Sequence, residues 1–192
     1  MQLPLKEYQK ETILRLGAYC MAAHARRDRG ISRFEREAYE EVTDNRTYYA
    51  PPGFENVPYI CLRLPPGGGK TLLAAHALGT ISHKLLGKDK PACLWITPNT
   101  TIRNQTLRAL QNPKHPYCMA LNESLHCSVE VATLEDALTK PRSVQSDAAL
   151  VIVTTIQSYR IRDERTGEEL AATRRIYRDN GYIQAAFESL PA

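Results

Sequence analysis

The sequence predicts an α/β fold, a mostly parallel sheet with helices on both faces. Three observations carry this. Short apolar runs bounded by turn residues alternate with helical patterns from residue 58 onward. Residues 148–154, Ala-Ala-Leu-Val-Ile-Val-Thr, are almost continuously apolar, as a strand buried on both sides of a parallel sheet must be. Between an apolar run at residues 59–64 and an Ala/Leu-rich helical stretch at residues 72–86 stand three consecutive glycines, Gly67, Gly68 and Gly69.

In chain order, residues 3–27 read as an amphipathic helix, with Leu5, Tyr8, Ile13, Leu16, Tyr19, Cys20 and Ala23 near the helical period. Gln9 sits on its first turns. Residues 28–57 are polar and charged. Within them Ser32-Arg33-Phe34-Glu35 fits a capping box and predicts a short helix over residues 32–41. Residues 45–56, with Pro51-Pro52-Gly53, read as loop, and the Tyr48-Tyr49 pair is expected to pack against the domain. Residues 59–64 read as a strand with Cys61 buried in it.

Residues 92–97 form the next strand, ended by Pro98, and residues 100–110 a helix capped by Thr100. Residues 112–116 are a proline-rich turn, residues 128–132 a weaker strand, and Thr133 opens a short helix to Leu138. After the strand at 148–154 comes a charged loop at 160–169. Helical material then follows, broken at Asn180-Gly181. Three regions result: a helix over 1–27, a polar segment over 28–57, and the sheet-bearing region over 58–192.

Composition narrows the class. The 192 residues are 43% hydrophobic and 24% charged, with a net charge of +4, a soluble globule mildly suited to a polyanionic partner. Five cysteines carry no Cys-x-x-Cys spacing and five histidines form no ligand cluster, which predicts reduced thiols and a cytoplasmic protein. No apolar run approaches the ~20 residues of a membrane span.

The chemistry centres on Pro65-Pro66-Gly67-Gly68-Gly69-Lys70-Thr71. Glycines without Cβ atoms let backbone N–H groups turn inward around a phosphate, and a helix beginning at Lys70 adds its positive end. Lys70 is placed to reach terminal phosphates and the Thr71 hydroxyl to hold Mg²⁺. Leu64 stands where the general pattern asks for a further glycine.

Four stretches occur in a telling order. They are Leu5-Lys6-Glu7-Tyr8-Gln9, residues 65–71, Leu94-Trp95-Ile96-Thr97-Pro98-Asn99 with Gln105 downstream, and Val153-Thr154-Thr155-Ile156-Gln157-Ser158. Together they resemble the first RecA-like motor domain of superfamily 2 helicases. The nearest likeness is to the DEAD/DEAH-box relatives grouped with type III restriction subunits and the helicase/UvrB N-terminal domain, whose phosphate loop commonly lacks the first glycine. The resemblance implies an incomplete RecA-like P-loop domain that binds ATP and Mg²⁺. Gln9 would read the adenine edge. Pro66, Gly67, Gly68, Gly69, Lys70, Thr71 and Leu72 would hold the nucleotide, with Lys70 and Thr71 catalytic and Thr71 on the metal. Thr97, Pro98, Asn99, Thr154, Thr155 and Gln157 would contact nucleic acid, DNA in the first instance and RNA as the alternative. A second RecA-like domain is the expected partner, and no membrane is.

Two features depart from that family. Residues 28–57 lengthen the spacing from Gln9 to Lys70 and, against that family, look like a polar insertion. The family's Asp-Glu pair after an apolar strand has no counterpart, since Glu40-Glu41, Asp163-Glu164 and Glu168-Glu169 follow polar or mixed sequence and Asp147 precedes its strand. The expectation is an amino-terminal portion of an ATP-driven DNA motor, hydrolysing little ATP alone. The competing classes are a P-loop kinase or nucleotide switch, and a non-catalytic nucleic-acid-binding module.

Overall fold

A computed structural model of the chain describes residues 3–50, 56–139, 148–159, 161–162 and 169–170. The predicted helical material around Asn180-Gly181, the Pro51-Pro52-Gly53 turn, and Asp147, Asp163-Glu164 and Glu168 lie outside the described residues. The chain divides into two compact units, residues 1–89 with 116–126, and residues 90–115 with 127–192.

Among its described residues, the first unit is helical. It contains α1 (Glu7–Asp28), α2 (Phe34–Val42), α3 (Lys70–Ile81) followed by a π turn (Ser82–Leu86), and α4 (Pro116–Leu125). Leu16, Tyr19, Cys20 and Ala23 of α1 pack with Phe34 and Ala38 of α2 and with Ala77 and Leu85. Leu73, Leu121 and Leu125 are fully buried, each stabilising by about 1.5–3 kcal/mol relative to exposure. Helices α3 and α4 approach closely at Gly79, where a Cβ would run into the Ser124 carbonyl. Ser124 Oγ also donates to the Ala75 carbonyl at 2.8 Å. Tyr19, Tyr39 and Tyr48 form a chain of ring contacts.

Three sequence expectations change here. Helix α2 starts at Phe34 from Arg33 in a left-handed conformation (φ 61°), with no side-chain cap bond. The Ser32–Glu35 capping box therefore does not form, because Glu35 turns inward, buried, with Oε1 accepting from Asn56 N. Residues 59–64 pair with no strand among the described residues. Ile60 and Leu62 instead lay one side of an extended segment on the helical core, and Cys61 is exposed. Helix α4 begins at the predicted turn's last residue, Pro116, the position where a missing N–H costs a helix nothing.

The second unit carries the sheet, with β1 (Ala92–Thr97), β2 (Ser128–Thr133) and β3 (Ala148–Thr155) in the order β1-β3-β2, all parallel. Central β3 is buried from Ala149 to Thr155, as its apolar sequence demands. Helix α5 (Thr100–Gln111, which precedes α4 in sequence) and α6 (Leu134–Thr139) flank the sheet. The Thr133 hydroxyl caps α6, accepting from Asp136 N at 3.1 Å. Asn99, not Thr100, caps α5: its side chain accepts from Ile102 N at 2.9 Å. A 3₁₀ turn (Ile156–Tyr159) follows β3, and the two-residue strands β4 (Ile161–Arg162) and β5 (Glu169–Leu170) pair antiparallel. The molecule is an α/β fold whose parallel sheet is flanked by helices, as a partial RecA-like domain would be.

Candidate functional site

The glycine segment folds as its sequence dictates. Gly68 N donates to the Pro65 carbonyl at 3.0 Å, with Pro66 and then Gly67 (φ +72°) at the corners. Proline first and a positive-φ glycine second make a type II turn. Gly69, also left-handed at φ +75°, is the N-cap of α3. The chain thus enters the helix at Lys70 with the first-turn N–H groups of residues 70–72 at an uncapped helix start, the arrangement that attracts anions. Lys70 Nζ folds back to donate to the Pro65 carbonyl at 2.8 Å. Thr71 is partly exposed on the first turn, and Leu72 is buried beneath it.

Helix α1 is fastened to this loop. Gln9 is buried. Its Oε1 accepts from Lys6 N at 2.9 Å, closing the start of α1, and its Nε2 donates to the Gly68 carbonyl at 2.8 Å. The Tyr8 hydroxyl donates to the same Gly68 carbonyl at 3.0 Å. The resemblance implies an adenine contact for Gln9; neither its bond to the Gly68 carbonyl nor that of Tyr8 was legible in the sequence, since a side chain at a helix start carries no signal of a partner some 60 residues away. Tyr48 packs as expected. Its hydroxyl accepts from Tyr59 N at 2.8 Å and donates to the Val57 carbonyl at 3.3 Å, while Tyr49 is exposed.

In the second unit the two strand-end motifs meet. Adjacent β1 and β3 end at Thr97 and Thr155, which stand side by side in register. Thr97 Oγ1 donates to the Thr154 carbonyl at 2.9 Å, and Gln157 Nε2 donates to the Pro98 carbonyl at 2.9 Å. Thr155 and Ser158 hydroxyls are 3.0 Å apart. Thr97, Thr154 and Thr155 are buried, whereas Pro98, Asn99 and Gln157 are exposed. The start of α5 contributes further free-facing polar groups at Thr100 and Thr101, both exposed.

Glu40 and Glu41 lie on α2, paired with Arg36 (2.9 Å) and Arg26 respectively. Burial pushes the Cys20 and Cys93 thiols up to about 11, far from reactive thiolates. Among the described residues, no group of three or more His, Cys, Asp or Glu could hold a metal ion, and no helix is long and apolar enough to cross a membrane.

No curated protein and no solved structure matches the chain. A family model does, over residues 2–177: the type III restriction enzyme, res subunit. That span takes in the glycine loop, its α1 fastening and both strand-end motifs. The chain therefore belongs to the type III restriction enzyme res-subunit family, a family of ATP-dependent helicase-type domains.

Proposed function

We propose that this chain is the ATP-binding, amino-terminal part of a DNA motor that translocates or unwinds. The observation that supports it best is the residue 65–71 loop, with two left-handed glycines, an uncapped helix start and Lys70 at its mouth. These residues fit a triphosphate: Gly67, Gly68 and Gly69 offer close backbone approach, N–H groups of residues 70–72 offer donors, and Lys70 offers a cation. Thr71 would carry Mg²⁺. Bound Mg-ATP supplies the phosphoanhydride whose hydrolysis powers movement. Lys70 exchanges the Pro65 carbonyl for phosphate oxygens, and Gln9, its amide already bonded to Lys6 N and the Gly68 carbonyl, would release one of those bonds to read the adenine edge.

The exposed Pro98, Asn99 and Gln157, with the α5 start, form the surface that takes the nucleic-acid backbone. Buried Thr97, Thr154 and Thr155 hold that surface in shape. Contacts of this kind position phosphates without reading sequence. A second RecA-like domain completes the motor, and five cysteines without Cys-x-x-Cys spacing suit the cytoplasm.

The test is titration of the purified chain with a fluorescent ATP analogue, with and without duplex DNA, beside Lys70→Ala. Loss of a charge-assisted phosphate contact weakens binding about 10- to 100-fold. Equal affinity in the wild type and Lys70→Ala refutes the reading. DNA that leaves ATP affinity untouched favours a nucleotide switch over a motor.

A further inference from the structure

We infer that Tyr8 is a positioning residue for the phosphate loop, acting through its hydroxyl; this rests on the nucleotide-binding reading above. A carbonyl oxygen has two lone pairs, and at Gly68 α1 engages both. Gln9 Nε2 donates to it at 2.8 Å and the Tyr8 hydroxyl at 3.0 Å. These two bonds draw the Gly68 carbonyl toward α1. The peptide plane linking Gly68 to Gly69 is rigid, so the direction of that carbonyl fixes that of the Gly69 N–H on its other side.

The orientation needs fixing. Gly67 and Gly69 are both left-handed, and glycine backbones rotate at little cost. The Gly68–Gly69 peptide has a glycine on either side and the left-handed Gly69 as its second residue, so it flips easily unless something outside the loop holds it. Gln9 is buried and constrained by its second bond to Lys6 N. Tyr8 is 39% exposed, and its described hydrogen bond to the loop comes from its hydroxyl. Its ring therefore contributes little to the core, and its hydroxyl has one described partner, the Gly68 carbonyl.

The discriminating variant is Tyr8→Phe, which keeps the ring and removes only the donor. Affinities for Mg-ATP and for inorganic tripolyphosphate are measured by calorimetry, with the thermal midpoint alongside and Lys70→Ala as the reference. The expected result is a loss of about 3- to 10-fold for ATP, the value of one net hydrogen bond. Tripolyphosphate should lose the same factor, since the effect lies on the phosphates and not the base, with the midpoint nearly unmoved.

Unchanged ATP and tripolyphosphate affinity in Tyr8→Phe, with Lys70→Ala still weakened, overturns this inference and leaves the nucleotide reading standing. A loss confined to ATP overturns it too, by assigning the hydroxyl to the base. A parallel fall in midpoint of many degrees makes the role global stability and likewise overturns it. A wild-type chain that binds neither ligand removes both proposals together.

Discussion

Replacing Gly69 by alanine joins two costs that the geometry separates. The first is conformational. At φ +75° an L-residue places its Cβ against the following carbonyl, a cost of about 1–2 kcal/mol. The second is steric. The new Cβ would lie 2.5 Å from Gln9 Nε2, closer than any real contact, so the buried amide must leave. It then gives up its bonds to Gly68 O and from Lys6 N, about 0.5–1.5 kcal/mol each. The sum is about 2–5 kcal/mol. Urea denaturation followed by circular dichroism reads it as a lowered midpoint at constant slope, and ATP titration reads the displaced loop as weakened binding. The double variant Gly69→Ala, Gln9→Ala removes the collision but not the backbone strain. It should cost less than the two single changes added together, the sign of direct coupling. A Gly69→Ala protein within about 0.5 kcal/mol of wild type, or strict additivity in the double variant, would show that the collision with Gln9 carries no cost.

Two further outcomes follow from packing and burial. Gly79→Ala should destabilise by about 2 kcal/mol: the helix-propensity gain of about 1 kcal/mol is outweighed because the Ser124 backbone cannot yield without parting α3 from α4. A raised thermal midpoint would contradict it. Burial, then the neighbouring Tyr48, Cys20 and Glu35, raises the Tyr19 phenol above its ordinary value near 10. The folded state thus keeps a proton that the unfolded chain releases. The stability this contributes is intact below about pH 10 and declines as pH rises beyond it. Urea midpoints between pH 9 and 11 should show the decline, and Tyr19→Phe should flatten it.

The sequence disclosed those parts of the fold whose cause is local. The periodic apolar residues of α1, the Ala/Leu-rich α3 and the unbroken apolar run of β3 each encode their element without reference to the rest of the chain. The glycine loop was legible for the same reason, since three glycines before Lys-Thr serve few other purposes. Choices between competing local partners were not legible. Ser32 and Glu35 have the spacing of a capping box, yet Glu35 is buried toward Asn56 N. Asn99 and Thr100 are both good caps, and only the chain direction after Pro98 selects Asn99. Residues 59–64 have strand composition, but a strand exists only where a partner offers its ladder, and here the helical core takes Ile60 and Leu62 instead. The Tyr8 contact spans 60 residues of sequence, a distance over which no periodicity speaks.

The crossed ties at the ends of β1 and β3 have a mechanical consequence. The side chain of Thr97 holds the backbone of β3, while the side chain of Gln157 reaches back to the backbone after β1. Each strand end is thus both anchor and anchored. The exposed turn at Pro98 and the 3₁₀ turn after β3 are therefore joined by a direct hydrogen bond as well as by the sheet ladder. A ligand that moved either exposed corner of the sheet would have to break or carry along the tie to the other.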